Sequence, residues 1–180
     1  DDNTISEDSN LPGPVTVANA YWIAETEVTY ELWDKVKTWA TTDAGGGKRA
    51  DGGALYTFAR PGAEGSDSVD PQEPVTTISW RDAMAWCNAQ TEYYYGNNSA
   101  NCVYYAADHS TPLRSVDSNA VSATTKADGG EDNPYINPTA KGFRLPTSNE
   151  WELAARYQKD GNWTAGDHVS GDTTGYCYQN

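Results

Sequence analysis

Basic residues are scarce in this chain of 180 residues: 12 Lys and Arg face 26 Asp and Glu, a formal charge of −14. So acidic a chain repels phosphate backbones and anionic lipid surfaces, which argues against nucleic acid as a partner. No run of about 18 apolar residues occurs, so no segment qualifies as a helical membrane span. Cysteine is nearly absent. The three thiols, Cys87, Cys102 and Cys177, are spaced too widely for a zinc site. The two histidines, His109 and His168, lie far apart in polar stretches, with no His-Glu-x-x-His metal motif and no Gly-x-Ser-x-Gly nucleophile turn. No catalytic or cofactor-binding residue is assigned on these grounds.

Aromatic residues are what the chain has in quantity, with seven Trp and twelve Tyr but only two Phe. Each Trp or Tyr has an apolar body and a polar tip, so the aromatics suit both core and display. Few lysines, many Asn, Gly, Ser and Thr, and sequons at Asn97 and Asn162 point to a secreted or cell-surface protein, with those two asparagines as candidate glycosylation sites. Residues 1–14, acidic and proline-broken, read as a flexible N-terminal segment of a processed chain, followed by one domain over 15–180. The cysteines allow a Cys87–Cys102 disulfide tethering a helix end to the next extended stretch. The other reading is three reduced, buried thiols acting as small apolar residues.

Val15 to Ile23 alternates and reads as a first strand. Thr29 caps a helix to about Ala40, with Trp33, Val36 and Ala40 inward. A glycine-rich loop, 41–74, follows, pinned by Leu55, Tyr56 and Phe58, and its length marks it as an insertion. After an extended lead-in at Val75 to Ile78, Ser79 and Asp82 form a capping box. The helix behind it places Trp80, Ala83, Met84 and Cys87 on one face and stops near Tyr95, at Gly96 and Asn97. Cys102 to Ala106 suits a strand, and 108–140 is a second long insertion. Thr147 and Glu150 form another capping box after Pro146, with Trp151, Ala154 and Ala155 on one face of the last helix. The result is an α+β chain with about three helices, short strands and long irregular loops.

Three blocks carry a family likeness. Residues 24–33 (AETEVTYELW), 74–88 (PVTTISWRDAMAWCN) and 142–156 (GFRLPTSNEWELAAR) resemble, in the same order, segments of the formylglycine-generating-enzyme, or sulfatase-modifying-factor, family. The resemblance implies a C-type-lectin-like fold of the formylglycine-generating-enzyme type. The family's later tryptophan-rich and arginine-glycine-glycine blocks, where its paired copper-binding cysteines lie, have no match before Asn180. Copper is therefore not expected in this chain, and Cys87 matches a position where a family cysteine is structural. The resemblance also places calcium near Asp167, Asp172 and Asn180. Acidic glycine-rich stretches at Asp67 to Asp70 and Asp128 to Asp132 are further candidates for that hard cation.

Smaller constellations have structural readings. Glu25 and Glu27 are expected to pair with Arg144 or Arg156, and Tyr93 to Tyr95 to pack as a helix end on the core, the alternative being a sugar- or protein-binding platform. The function these features imply is ligand binding, protein or carbohydrate, by a secreted or surface-displayed and non-catalytic member of the fold, such as a retroelement-type variable protein. One alternative is part of a formylglycine-generating oxidoreductase whose catalytic cysteines lie beyond residue 180. Another is a structural protein that self-assembles or is completed by a C-terminal complement.

Overall fold

The computed structural model describes residues 4–5, 15–42, 55–65, 70–116 and 122–156. Its elements, in chain order, are β1 (Thr4–Ile5), β2 (Val15–Thr16), α1 (Tyr30–Thr41), α2 (Trp80–Tyr94), β3 (Tyr104–Tyr105), α3 (Ala123–Lys126), β4 (Tyr135–Ile136) and α4 (Ser148–Arg156), with a 3-10 turn at Ser99–Asn101. Helices and short strands are mixed without regular alternation, as the α+β expectation has it. The chain divides into two compact units, Asp1–Glu25 with Pro146–Asn180, and Thr26–Leu145.

In the first unit β1 pairs antiparallel with β2, Thr4 opposite Thr16 and Ile5 opposite Val15. Of the 1–14 segment only Thr4 and Ile5 are described. The strand expected over Val15 to Ile23 is only two residues long, and its exposed end at Trp22 and Ile23 has no buried face to hold an extended pleat. Helix α4 opens on the predicted box: the Thr147 amide donates to Glu150 Oε2 (2.8 Å) and the Glu150 amide to Thr147 Oγ1 (3.2 Å). Its buried side differs from the predicted one. Leu153 packs with Val17 and Tyr21, the Tyr21 hydroxyl donates to the Glu150 carbonyl (2.6 Å), and Trp151 is 62% exposed.

The second unit is built on two helices. Thr29 Oγ1 accepts from the Leu32 amide at the start of α1, and α1 buries Trp33, Val36, Trp39 and Ala40. Its core includes Tyr56, Trp86 and Ala89, with Leu55, Phe58, Val75, Ile78 and Tyr93 packed around it. Trp33 and Trp86 stack at 5.3 Å between centroids, and the predicted pinning of the 41–74 loop is met by Tyr56 and Phe58. A second cluster joins Met84 and Cys87 to Val103, Tyr104 and Leu113. The short strand β3 pairs with β4, Tyr104 opposite Ile136.

Helix α2 is the centre of this unit and is buried on nearly every side, polar residues included. The predicted box closes it: the Ser79 amide donates to Asp82 Oδ2 (3.2 Å) and the Asp82 amide to Ser79 Oγ (3.1 Å). Asp82 Oδ1 also accepts from the Ala59 amide (2.8 Å), which fastens the loop to the helix start. Trp80, expected on the inward face, is 64% exposed, because the first residue of the helix lies outside the packed turn that begins at Arg81. Gly96 and Asn97, both at positive φ, end the helix as predicted.

Asn88 joins α2 to the extended segments. It is fully buried and its amide nitrogen donates to the carbonyls of Tyr104 (2.7 Å) and Leu113 (3.1 Å). Its oxygen accepts from the amides of Val103 (3.0 Å) and Tyr104 (3.2 Å). One side chain thus replaces four ladder bonds that a longer sheet would make. Each buried group left unpaired costs about 1–3 kcal/mol. Asn88→Ala is therefore expected to lower stability by roughly 3–5 kcal/mol, read as a shifted urea midpoint with unchanged slope. A loss under about 1 kcal/mol contradicts this role.

Candidate functional site

The buried charges among the described residues of the second unit are spent on internal contacts. Glu92, on α2 and almost fully buried, receives the Tyr56 hydroxyl (2.5 Å) on Oε2. Arg114 donates to both of its oxygens. Burial pushes the Tyr56 phenol well up, helped by the Glu92 charge. Burial opposes the charge on Arg114, but the bond to Glu92 more than offsets it and raises the guanidinium. A carboxylate so neutralised is a brace rather than a general base.

Arg81 does the same for the acidic 128–132 stretch. Its Nε donates to Asp132 Oδ1 (2.7 Å) and its Nη2 to Asp132 Oδ2 (2.8 Å), while Nη1 reaches Glu131 Oε2 (3.2 Å). The Arg81 hydrogen bond holds the Asp132 carboxyl below its usual range. These two carboxylates are thus engaged by an arginine instead of converging on calcium. Among the described residues no group of three or more His, Cys, Asp or Glu is placed to hold a metal ion.

The disulfide expected between Cys87 and Cys102 is not formed; both are free and buried. Cys87 lies among Met84, Val103, Tyr104 and Leu113, whereas the Cys102 thiol donates to the Asn88 carbonyl (3.9 Å). Burial pushes each thiol up to about 12. A copper site of the implied family type needs thiolates that converge, and this pair, neutral and separately packed, does not fit it. Glu25 and Glu27 are exposed, as is Asn97. Asp167, Asp172, Asn180, Asn162, Cys177 and His168 lie outside the described residues, as do residues 67–69 of the first acidic stretch.

What α2 displays is aromatic. At its C-terminal end Tyr93 packs edge-on against Trp39 (5.5 Å), as a helix end packed on the core. Tyr94 and Tyr95 do not: they are 68% and 37% exposed. Tyr94 meets Tyr95 edge-to-face at 5.0 Å and Phe143 edge-to-face at 5.8 Å, and Phe143 is itself 41% exposed. The 142–156 block places the third ring. The Phe143 amide donates to Thr91 Oγ1 (2.8 Å), whose hydroxyl donates to the Cys87 carbonyl (2.8 Å). Gly142 permits this approach, since a Cβ there would lie 2.2 Å from the Asn101 carbonyl and 2.5 Å from the Thr91 side chain. The expectation that Tyr94 and Tyr95 pack on the core is thus corrected, and sequence reasoning missed Phe143, Glu92, Arg114 and Asn88. Their partners are 22 to 52 residues away along the chain, or 16 and 25 for Asn88, so no local spacing signals them.

Comparison with known proteins places these features in a family. A family model described as "Sulfatase-modifying factor enzyme 1-like domain" matches residues 2–179. A "Chaperone protein LppX" from Paenibacillus barcinonensis is 28% identical over 116 residues, 61% of this chain. The chain spans 35% of that relative's length. A structure titled "Crystal Structure of CarF" is similar at 28% identity and TM-score 0.48, over 75% of this chain and 43% of its own.

Two outcomes test the internal role of these groups. Arg114→Met leaves the buried Glu92 charge without its cation and is expected to cost about 3–5 kcal/mol in urea unfolding; a near-neutral result means Glu92 is not held as a buried anion. In a Cys177→Ser background, Ellman's reagent at pH 8 should label Cys87 and Cys102 on the order of 100-fold more slowly in the folded chain than in urea. Folding favours the neutral thiols, whose ordinary value is 9.0. Their contribution to stability is therefore complete below that pH and is lost as pH rises towards 12.

Proposed function

The chain belongs to the sulfatase-modifying factor enzyme 1-like family, and we propose that it acts as a non-catalytic binding member of it. Its ligand is a polypeptide, engaged by the Tyr94, Tyr95 and Phe143 rings. The observation that carries this reading is the exposed aromatic corner. Three rings held edge-to-face on a helix end, with their backbone anchored through Thr91, make rigid, low-entropy contact area of the kind that dominates protein interfaces. The relative described as a chaperone protein is consistent with a polypeptide partner. The fold we assign is the C-type-lectin-like variant, with long surface loops. The working location is the cell exterior, with Asn97 presented on the α2 terminal turn for modification.

An oxidoreductase reading follows from family membership alone. It requires thiolates that Cys87 and Cys102 do not provide, so it rests on cysteines elsewhere in the whole protein. Two assays separate the readings. Diluting a denatured model protein into buffer with the native chain should lower its light scattering, and Tyr94→Ala with Phe143→Ala should lose at least about tenfold of that effect, near 1.4 kcal/mol of binding. The double variant should melt within a few degrees of the parent. Equal suppression by both proteins removes the aromatic corner from the function. Conversion of a cysteine peptide to an aldehyde, with sulfide and water released, by the purified chain supplied with copper, dioxygen and a thiol reductant establishes the enzyme instead.

A further inference from the structure

A second surface, apart from the aromatic corner, has the chemistry of a ligand site. A cleft of about 350 Å³ is lined by Ala107, His109, Asp128, Gly129, Asn133, Pro134, Tyr135 and Ile136. That size falls at the lower end of small-molecule sites, roughly 300–1,000 Å³. His109 and Tyr135 stack face to face inside it at 3.8 Å, with 6° between their planes. Asn133 Nδ2 donates to Asp128 Oδ1 (2.9 Å). This fixes the amide and leaves the second carboxylate oxygen, the amide oxygen and one amide proton for a ligand.

Both walls are built stiff. Gly129 sits at φ +76 against Ala107, where a Cβ would lie 2.1 Å from the Ala107 nitrogen, so only glycine lets the walls meet. The Gly129 amide donates to the Asn133 carbonyl (2.8 Å) and the Asn133 amide to the Gly130 carbonyl (3.0 Å), while Arg81 grips Asp132 from behind. On the opposite wall Asp108 Oδ1 accepts from the amides of Ser110 (2.9 Å) and Thr111 (2.8 Å). Bonds from Thr111 and Ser110 hold the Asp108 carboxyl well below its usual range. A site so ordered before binding loses little entropy when a ligand arrives.

We propose that this cleft binds a neutral saccharide unit the size of a hexose. A sugar ring presents apolar C–H faces, which pack on aromatic rings, and a rim of hydroxyls that both donate and accept. Asp128 accepts hydroxyl protons, Asn133 both donates and accepts, and the His109–Tyr135 pair supplies the flat apolar contact. A divalent cation does not fit: among the described residues of the lining Asp128 and His109 are the only charged or imidazole groups, and a hard cation wants six or more oxygens. Acidic sugars are disfavoured by Asp128 and by the formal charge of −14.

The test is titration of the purified full chain with a panel of neutral mono- and disaccharides alongside uronic and sialic acids, followed by the NMR resonances of the His109 and Tyr135 rings. At least one neutral sugar should shift both rings with saturable affinity. Asp128→Ala, and His109→Gly (which keeps the positive-φ backbone while removing the ring), should each weaken it about tenfold or more, with unchanged melting. Tyr94→Ala with Phe143→Ala should leave sugar binding intact, so failure at one surface is distinguishable from failure at the other. The proposal is overturned if no neutral sugar moves these resonances at tens of millimolar (a range set by the weakest useful affinities, about 1 mM and above). Equal binding by both cleft variants, or preference for the acidic sugars, overturns it too.

Discussion

The buried amide of Asn88 is the constraint on which the second unit depends. Its strands are two residues long, far too short to satisfy their own backbone or to bury a face by themselves. A side chain with two donors and two acceptor lone pairs, placed mid-helix, meets four backbone groups of Val103, Tyr104 and Leu113 at once. That contact fixes where the 102–105 and 113–116 segments lie against α2. Everything that reaches those segments inherits the placement. Arg114 comes within reach of Glu92, the Tyr104 hydroxyl oxygen accepts from the Leu145 amide (3.0 Å), and β3 receives β4.

Polar burial is the organising principle of α2, rather than an exception within it. Arg81, Asp82, Asn88, Thr91 and Glu92 are all buried, and each has a named partner. Unpaired, any one of these would cost more than the surrounding apolar contacts return. Paired, they tie the helix to five separate stretches of irregular chain that have no sheet to hold them. The same economy leaves the aromatics to do two jobs. Trp33, Trp86, Tyr56 and Trp39 fill the core, whereas Tyr94, Tyr95 and Phe143 face solvent as a fixed group. Thr91 links the two, because its hydroxyl closes a helical turn and holds the chain at Phe143.

Legibility followed the range of the interaction. The starts of α1, α2 and α4 were readable because each cap is made within three residues of itself: Thr29 with Leu32, Ser79 with Asp82, Thr147 with Glu150. The α2 stop was readable because Gly96 and Asn97 tolerate positive φ. Inward faces were half readable. Periodicity placed Trp33, Val36 and Ala40 correctly but put Trp80 and Trp151 inside, since a hydrophobicity pattern counts a tryptophan as core wherever it falls. The Cys87–Cys102 pairing failed for a related reason: closeness in sequence says nothing about which way two thiols point. The acidic 128–132 stretch looked like an ion site until Arg81, 50 residues earlier, was brought against it.

By itself the sequence determined the local instructions: three capped helices, the glycine and asparagine stops, the aromatic-rich composition, the acidic charge, and the three ordered blocks that mark the family. These are properties of neighbouring residues, and short-range sterics and hydrogen bonding suffice to set them. Only the tertiary structure decided which polar groups are spent in buried pairs and which stay at the surface. Glu92 is consumed by Arg114 and Tyr56, and Asp132 by Arg81, while Asp128 and Asn133 are left beside an aromatic pair in an open cleft. The physical reason is that a charge or an amide is defined by what lies within about 3 Å of it. In this chain those neighbours come from distant parts of the sequence.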